Sequence, residues 1–401
     1  MHFLIDCYAF KCYSTNDISY SSIVPASYRK LNPEDNYVKT YGFIGLGLIG
    51  GSIARAIRET QEDARIIAHD VNQESLRLAL SDGVANEITD AIDDRFSACD
   101  YLFLCAPVQK NDSNLLLLKP YLSPGCLLTD VGSVKTDIHE NIKKLGLETQ
   151  FIGGHPMAGS ERVGYVNSKS VLLQNAYYIL TPTPEVSKEK LESYRELVSS
   201  FGSIPLILSC EEHDYVTAAV SHLPHVISAS LVNLVRDSDN ADGLMKMIAA
   251  GGFKDITRIS SSSAAMWQQI CLTNTGNIEI LLDRYVDSLE KFRTYLKGRD
   301  SEKLYETFDS ARIYRDSFIS ASSGPIKKSF VLMVDIADEP GAIAAIATIL
   351  ALNQVSIKNI GITHNREYEG GVLRIELYDK ESTEKAESIL KGKGYTIYTR
   401  D

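Results

Sequence analysis

A glycine-rich loop that directly follows a predicted strand constrains this chain more than any other feature. The apolar run YGFI leads into GLGLIG, which has the pattern G-x-G-x-x-G, and a helical stretch, SIARAIRE, comes next. Glycines permit a tight turn and a close approach of the backbone to a ligand, and the helix N-terminus offers N–H groups and a positive dipole end to a pyrophosphate. Packing of the helix against the strand would also explain the glycines. The predicted cofactor contacts in this loop are Gly45, Gly47, Leu48, Ile49 and Gly50.

An acidic residue strengthens the case for a dinucleotide. Asp70 ends the next predicted strand twenty residues after Gly50. A carboxylate there accepts hydrogen bonds from the ribose of NAD and repels the extra phosphate of NADP. The run CAPV closes another strand at the same edge, and Cys105 in it is expected to be a packing residue. NAD is therefore the predicted cofactor, and its remaining predicted contacts are Ala106, Pro107, Val108 and Gly132.

The pattern of apolar residues divides the chain into domains. Apolar runs alternate with helical patterns from Tyr41 to about Leu208, which predicts an α/β domain with a parallel sheet covered on both faces. Strand signals then vanish and long helical stretches follow, so a helical domain is expected. The last part reads β-α-β-β-α-β, the ferredoxin-like unit. The predicted boundaries are 1–39 for a poorly ordered extension, 40–208 and 209–320 for the first two domains, 321–327 for a linker and 328–401 for the last domain.

The composition argues against several classes of protein. A net charge of −11 over 401 residues, with no long cluster of Lys or Arg, disfavours nucleic-acid binding. Seven scattered cysteines without a CxxC pair argue against a disulfide framework and a zinc site, and we predict no metal. The N-terminus lacks the pattern of a secretory signal, and no run reaches the length needed to span a bilayer. A cytoplasmic protein without a membrane partner is expected.

His155 is the predicted catalytic base. It follows the run QFIGG, so its side chain is expected at the carboxyl edge of the sheet, where an imidazole can take a hydroxyl proton as hydride leaves. The two preceding glycines suit close approach by a ligand, although a histidine that caps a turn would give the same sequence. Ser133, in DVGSVK, also follows a strand. It is a candidate helix N-cap, and its hydroxyl could orient His155 or relay its proton.

A second cluster of candidate residues lies in the predicted helical domain. His222 and His225 share a helix face around Pro224, which interrupts a helix interior at a cost of roughly 3 kcal/mol; a helix boundary is the alternative. Arg258, which follows a pair of glycines, could clamp a carboxylate or form a surface ion pair. Trp267 is by default a packing or subunit-contact residue.

Five motifs occur in a fixed order: GLGLIGGS, DVGSVK, GGHPMAGSE, SHLPH and GGFKDITRI. In these motifs and their spacing, about residues 41–320 resemble the prephenate dehydrogenase family. The resemblance implies a Rossmann-like NAD domain, an all-α dimerisation domain, and oxidative decarboxylation of prephenate to 4-hydroxyphenylpyruvate, CO₂ and NADH in tyrosine biosynthesis. It also implies that Ser133 and His155 form the catalytic pair, and that His225 and Arg258 bind the substrate.

Further site residues follow from the same resemblance. Positions that line the substrate pocket in the family correspond to Ser160, Glu161, Ser221 and His222. Trp267 and the loop at Gly251 match segments that reach into the site of the partner subunit. A homodimer is therefore expected.

The C-terminal unit resembles an ACT domain. The run DEPG lies in its first strand-to-helix loop, and Asn359 lies in its third segment. Such domains often bind an amino acid at a subunit interface, so we expect tyrosine to bind near Gly341 and Asn359 and to inhibit the enzyme. A purely structural dimerisation module is the alternative.

Three other functions stay open at this stage. Arogenate dehydrogenase acts on a substrate with an amino group in place of the ketone, and the second histidine of SHLPH favours prephenate by resemblance. Another dehydrogenase of Rossmann-plus-helical design, such as a 3-hydroxyacid dehydrogenase, would lack the GGHPMAGSE and SHLPH motifs. A catalytically silent sensor of NAD and an amino acid would not need a base beside the nicotinamide.

Overall fold

The computed structural model describes residues 37–159, 162–320, 330–336, 339–363 and 371–398. The extension predicted for residues 1–39 therefore falls almost wholly outside the described residues. So do Ser160, Glu161 and the predicted linker 321–327.

Five parallel strands form the sheet of the N-terminal domain, in the order β3-β2-β1-β4-β5. The strands are β1 (Thr40–Ile44), β2 (Arg65–His69), β3 (Glu87–Thr89), β4 (Tyr101–Leu104) and β5 (Leu127–Asp130). The helices are α1 (Leu48–Thr60), α2 (Gln73–Ser81), α3 (Val108–Leu118) and α4 (Thr136–Leu145). All residues of β1, β4 and β5 are buried, as expected for strands with apolar layers on both faces. The predicted parallel, doubly covered sheet is confirmed for these strands, while the short β3 was not predicted.

A second, three-stranded sheet corrects the prediction of an all-parallel domain. It contains β6 (Ile152–Pro156), β7 (Tyr177–Pro182) and β8 (Ile204–Ile207), with α5 (Lys188–Ser200) between the last two. β7 runs antiparallel to β6 and parallel to β8. The chain between β6 and β7 packs on α1 instead of forming a crossover helix, so it returns in the opposite direction. A parallel bridge between Leu128 and Phe151 links the two sheets.

Helices make up the next part of the chain, as predicted. They are α6 (Cys210–Thr217), α7 (Leu223–Ser238), α8 (Leu244–Ile248), α9 (Gly251–Thr257), α10 (Ala264–Thr273), α11 (Thr275–Gly298) and α12 (Ser301–Ser320). Short 3₁₀ turns occur at Asp94–Ala98, Lys119–Tyr121, Glu148–Gln150, Tyr165–Asn167, Ser170–Leu173 and Arg258–Ser261.

One π turn, Ala218–His222, joins α6 to α7. Pro224 follows it within the first turn of α7. Proline lacks the backbone N–H and clashes with the carbonyl group four residues earlier, and a widened turn removes both problems. Pro224 is therefore neither a break nor a simple helix start, because the helix continues through it with a local change of pitch.

The continuous stretch Cys210–Ser238 is, among the described residues, the one helix long and apolar enough to cross a membrane by length and composition. The expectation that no run reaches this length was wrong for this stretch, because α6, the π turn and α7 form one continuous helix. His213 and Asp214 near its start are buried and hydrogen-bonded inside the protein. Length and composition alone are weak evidence for a membrane span, because core helices of soluble proteins pass the same test.

The C-terminal unit has the predicted β-α-β-β-α-β order. Its elements are β9 (Phe330–Ile336), α13 (Ala342–Leu352), β10 (Ile357–Thr363), β11 (Gly371–Leu377), α14 (Lys380–Gly392) and β12 (Ile397–Tyr398). The sheet order is β10-β11-β9-β12, with antiparallel neighbours. One face of this sheet is covered by the two helices, with Leu332, Val334, Ile346 and Leu390 in the core between them.

Candidate active site

The glycine-rich loop connects β1 to α1 with little room for side chains. Gly45 has a φ of +95°, and a Cβ there would lie 2.6 Å from the backbone nitrogen of Ala106. A Cβ on Gly50 would lie 2.6 Å from the carbonyl oxygen of Gly45. Gly47 instead faces open space, and it is the N-cap of α1 without any side-chain cap. The loop therefore leaves the N-terminus of α1, which begins with Leu48 and Ile49, without a side-chain cap and next to open space.

Asp70 holds this loop against the end of β2. Its carboxylate accepts hydrogen bonds from the backbone N–H of Leu46 at 2.5 Å and of Asn72 at 2.7 Å. A carboxylate has further lone pairs for a ribose hydroxyl. The uncapped helix and this acid fit the pyrophosphate and the ribose of a dinucleotide.

The ends of β4 and β5 supply a second wall at the same sheet edge. Pro107 is the N-cap of α3, and a Cβ on Gly132 would lie 3.3 Å from a methyl carbon of Val108. Cys105 packs against the apolar core that contains Phe43 and Phe103, and burial raises the pKa of its thiol. A thiol with a raised pKa is a poor nucleophile, in agreement with a packing role.

A buried ion pair lies beneath the end of β6. Lys135 is fully buried, and its ammonium group forms a salt bridge with Asp130 and donates to the carbonyl oxygen of Gly154 at 2.8 Å. Asp130 also accepts from the N–H of Gly154 at 3.2 Å. The peptide groups just before His155 are thereby fixed from both sides.

The two glycines before His155 are required by the protein itself, not by a ligand. A Cβ on Gly153 would lie 2.3 Å from the hydroxyl oxygen of Thr181, and one on Gly154 would lie 2.6 Å from the carbonyl oxygen of Asp130. The expectation that these glycines admit a ligand was wrong, because neighbouring strands already fill that space.

His155 contacts a second histidine that the sequence reading missed. Its Nδ1 atom lies 2.7 Å from Nε2 of His213, and Nδ1 of His213 lies 2.7 Å from a carboxylate oxygen of Asp214. His155 is partly exposed, whereas the side chains of His213 and Asp214 are buried. Three residues from two distant segments therefore form one chain of polar contacts.

Burial and nearby charges keep these histidines neutral. The pKa of His155 is held well below its ordinary value of 6.5, first by burial and then by His213, Lys135 and His222. Burial also lowers the pKa of His213, although Asp214 opposes the shift. Despite burial, the pKa of Asp214 is lowered by its hydrogen bonds from His213, Thr136 and Lys135. An ionised carboxylate and two neutral imidazoles are the expected forms near neutral pH.

Ser133 does not cap a helix, contrary to the prediction. It lies in the loop between β5 and α4, and α4 begins only at Thr136. Asp214 accepts from the backbone N–H groups of Lys135 at 2.7 Å and Thr136 at 2.8 Å. The carboxylate of Asp214, in α6, therefore caps the start of α4.

The SHLPH segment brings two histidines and Trp267 together. The Trp267 ring stacks on His225, with ring centroids 3.6 Å apart and an interplanar angle of 25°, and meets His222 edge-on. His222 is buried, and its Nδ1 lies 3.2 Å from the amide nitrogen of Asn274. Burial lowers the pKa of His222 to about 4. His225 is only partly buried, and its Nδ1 contacts the carbonyl oxygen of Ser221 at 2.9 Å.

Arg258 lies near His225 and opens the 3₁₀ turn after α9. Its charge lowers the pKa of His225, in addition to the larger effect of burial. The packing of α7 on this segment is fixed by Ser228, whose hydroxyl lies 2.6 Å from that of Ser260. Gly251 is the exposed first residue of α9. Trp267 and Arg258 thus both lie close to His225 within one chain.

The sequence shows that these additional site residues are present, but it does not show which residues they contact. Asp130 and Lys135 lie on either side of Ser133 in a segment whose other residues carry no charge, which is a signal for a buried pair. His213 and Asp214 sit in the acidic run CEEHDY, and nothing local marks them. Their partner His155 is 58 residues away in sequence.

Two family matches cover most of the first two domains. Residues 53–204 match "Prephenate dehydrogenase, nucleotide-binding domain", and residues 209–310 match "Prephenate dehydrogenase, dimerization domain". A Bacillus subtilis protein named prephenate dehydrogenase is 38% identical over 354 residues, which is 87% of this chain and 95% of that protein. That alignment is longer than residues 53–310, so it extends beyond both matched domains.

Two solved structures are similar to this chain over about 70% of its length. Prephenate dehydrogenase from A. aeolicus, in complex with hydroxyphenyl propionate and NAD⁺, has a TM-score of 0.67 and 31% identity. The similarity covers 71% of this chain and 100% of that one. Arogenate dehydrogenase from Synechocystis has a TM-score of 0.63 and 29% identity, covering 70% and 99%.

Proposed function

The chain belongs to the prephenate dehydrogenase family, and we propose that His155 is the base in its NAD-dependent oxidative decarboxylation of prephenate. The observation that carries this role is the geometry of the His155 ring. Its Nδ1 is occupied by His213, and its pKa is held well below 6.5. An imidazole that stays neutral at the carboxyl edge of the sheet can accept a proton there.

The cofactor supplies a hydride acceptor when bound, and this chain's residues determine where it lies. Gly45, Gly47 and Gly50 leave the N-terminus of α1 free for the pyrophosphate, with Asp70 facing the adenosine ribose. Ala106, Pro107, Val108 and Gly132 form the wall nearer the site of chemistry. The carboxylate of Asp70 favours NAD over NADP.

The reaction then requires that the substrate ring be held beside the hydride acceptor and that His155 take one proton. Hydride leaves C4 of the substrate ring as His155 takes the proton of the C4 hydroxyl. The C–C bond to the ring carboxylate breaks, CO₂ leaves, and its electron pair completes the aromatic ring. The proton returns to the C4 oxygen, which gives 4-hydroxyphenylpyruvate and regenerates the base. Aromatisation drives the reaction, so the protein mainly has to position and deprotonate the substrate.

The substrate's carboxylate is assigned to Arg258, with His225 beside it. A guanidinium can bind a carboxylate through two parallel hydrogen bonds. His225 stacks on Trp267 and is partly exposed, whereas His222 is buried against Asn274. We therefore assign substrate contact first to His225 and a supporting role to His222. By resemblance, Ser133 forms the catalytic pair with His155, and Ser160, Glu161 and Ser221 line the pocket. The loop at Gly251 would reach into the site of the partner subunit.

A homodimer is supported by the apolar surface of the helical domain. Among the described side chains of that domain, the buried apolar residues are Ala218, Ile270 and Ile278. Large apolar side chains are exposed on several of its helices, including Leu234, Met247, Ile256 and Leu272. Exposed apolar surface of this extent is typical of a subunit interface. A second copy of the chain would cover it, and we place the enzyme in the cytoplasm.

The C-terminal unit is proposed to be an ACT domain that binds tyrosine and inhibits the enzyme. Gly341, with a φ of +94°, is the N-cap of α13, and Asn359 is exposed on β10. An uncapped helix start and an amide side chain suit the carboxylate and amino groups of an amino acid. Inhibition would then require a coupling free energy between this unit and the catalytic site.

The decisive experiment measures NADH formation with prephenate and with arogenate, each with and without tyrosine. Faster turnover of prephenate, suppressed by tyrosine, is expected. Preference for arogenate would overturn the substrate assignment, and unchanged rates with tyrosine would overturn the regulatory one. No turnover of either substrate would overturn the catalytic assignment and favour a sensor.

A further inference from the structure

The contacts from Asp214 to His155 determine where each proton lies. The carboxylate of Asp214 accepts four hydrogen bonds, from the N–H of Lys135, the N–H and hydroxyl of Thr136, and the ring of His213. A carboxylate with this many donors is ionised and can only accept. The proton in its contact with His213 therefore belongs to Nδ1 of His213.

The position of the proton on His213 then determines the position of the proton on His155. A neutral histidine protonated at Nδ1 has an unprotonated Nε2, so Nε2 of His213 accepts. Its contact at 2.7 Å must receive the Nδ1 proton of His155. His155 is consequently unprotonated at Nε2, the atom left for the substrate.

We propose that His213 and Asp214 are positioning residues that hold His155 in the tautomer with a free Nε2. This role rests on the proposed function of His155 as the base. The pair contacts His155 only through its far nitrogen, so it acts through that ring and not on the substrate. A histidine held in the other tautomer would present a proton to the substrate hydroxyl and could not accept one.

The surroundings favour this arrangement of charge. The groups that face His155 are His213, Lys135 and His222, and all three lower its pKa. Besides His155, the titratable groups that face His213 are Asp214, Lys135, Asp130 and His222. When His155 takes a proton, the carboxylate of Asp214 lies one ring away, beyond His213. His213 therefore also links the transient positive charge to a buried carboxylate.

Two substitutions at His213 distinguish its contact with His155 from its contact with Asp214. In His213→Gln, the longer side chain can still place an oxygen near the former Nε2 and accept from His155. In His213→Asn, the amide can still donate to Asp214 but is too short to reach His155. We expect His213→Asn to lower kcat on the order of 10²-fold, with NAD affinity retained, and His213→Gln to recover most of the loss. At acidic pH, kcat/KM falls as His155 becomes protonated. In His213→Asn the pH of this fall should rise towards 6.5, because a group that lowers the pKa of His155 is removed.

His139 provides the matched control. It is another partly buried histidine with a lowered pKa, and its Nε2 contacts the hydroxyl of Thr181 at 2.9 Å. His139→Asn is expected to leave the pH profile unchanged. Equal loss in the Asn and Gln variants of His213, or a kcat within about twofold of wild type in His213→Asn, would overturn the proposal.

A direct measurement on the full chain does not require the substrate. Two-bond ¹H–¹⁵N correlation spectra of the histidine-labelled full chain report which ring nitrogen carries the proton. We expect Nδ1–H in both His155 and His213 at neutral pH, with assignments from the His155→Asn and His213→Gln spectra. Nε2–H in His155 would overturn the proposal even if prephenate is oxidised. The expected tautomers without prephenate turnover would overturn only the proposed function.

Discussion

Nζ of Lys135 lies 2.8 Å from the carbonyl oxygen of Gly154, the residue directly before the proposed base. The same ammonium group pairs with Asp130, which accepts the N–H of Gly154. A buried cation therefore both fixes the backbone of the base and places positive charge beneath it. Both effects favour a neutral, well-positioned imidazole at His155.

Removal of this cation should destabilise the protein strongly. We expect Lys135→Met to lower the free energy of unfolding by about 3–5 kcal/mol, because it leaves Asp130 buried without its partner. Urea denaturation measures the change. The double variant Lys135→Met with Asp130→Asn should lose less than the two single changes together. Additive losses would show that the two side chains do not interact.

The role of His155 as the base predicts a large loss of turnover on its replacement. His155→Asn should lower kcat by roughly 10²- to 10⁴-fold, the usual contribution of a general base. The affinity for NAD, measured by calorimetry, should stay close to that of the wild type. A variant that keeps most of its turnover would remove His155 from the base role.

The pH dependence of the reaction has a definite sign. Only neutral His155 can accept a proton, and burial with the nearby His213, Lys135 and His222 holds its pKa well below 6.5. We expect kcat/KM to be constant through neutral pH and to fall only as the pH drops below 6.5. Burial and Arg258 also lower the pKa of His225, so His225→Gln tests which histidine causes the fall. The fall should persist in that variant, because His155 is unchanged. Loss of activity already near pH 7 would contradict this assignment.

Arg258 is expected to act on substrate binding. Arg258→Ala should raise KM for prephenate at least about tenfold with a smaller effect on kcat, because a carboxylate clamp binds substrate and transition state alike. Arg258→Lys should recover only part of the binding, since lysine cannot form a bidentate contact. Arg236→Ala is the matched control, because Arg236 is exposed and pairs locally with Asp237. Similar KM values for Arg258→Ala and Arg236→Ala would exclude the clamp.

Inhibition by tyrosine is expected to depend on Asn359. In the full chain, Asn359→Ala should weaken the inhibition at least about tenfold and leave the uninhibited rate unchanged, as expected for a distinct effector site. Asn353→Ala is the control, because the amide of Asn353 bonds the end of its own helix at Ile349. Deletion of residues 327–401 should abolish the response. Unchanged tyrosine sensitivity in the deletion would exclude the C-terminal unit as the sensor.

Several features could be predicted because they depend on neighbours in sequence. The glycine loop, Asp70 and the strand before His155 each combine a local pattern with a fixed position at a strand end. The β-α-β-β-α-β order of the C-terminal unit followed from alternating apolar periods. The direction of β7 could not be predicted, because its partner strand is chosen by how the intervening chain packs on α1.

The sequence by itself determined the family motifs, the positions of the strand ends and the placement of His155 at one of them. Only the tertiary structure decided what holds that histidine. His155 meets His213 from 58 residues away, and Asp214 caps a helix whose first residues lie 78 and 79 positions before it. Contacts at such separations depend on how α6 packs on the sheet. Hydrogen bonds require atoms to lie within a few tenths of an ångström of their ideal distances, and sequence patterns do not specify position at that scale.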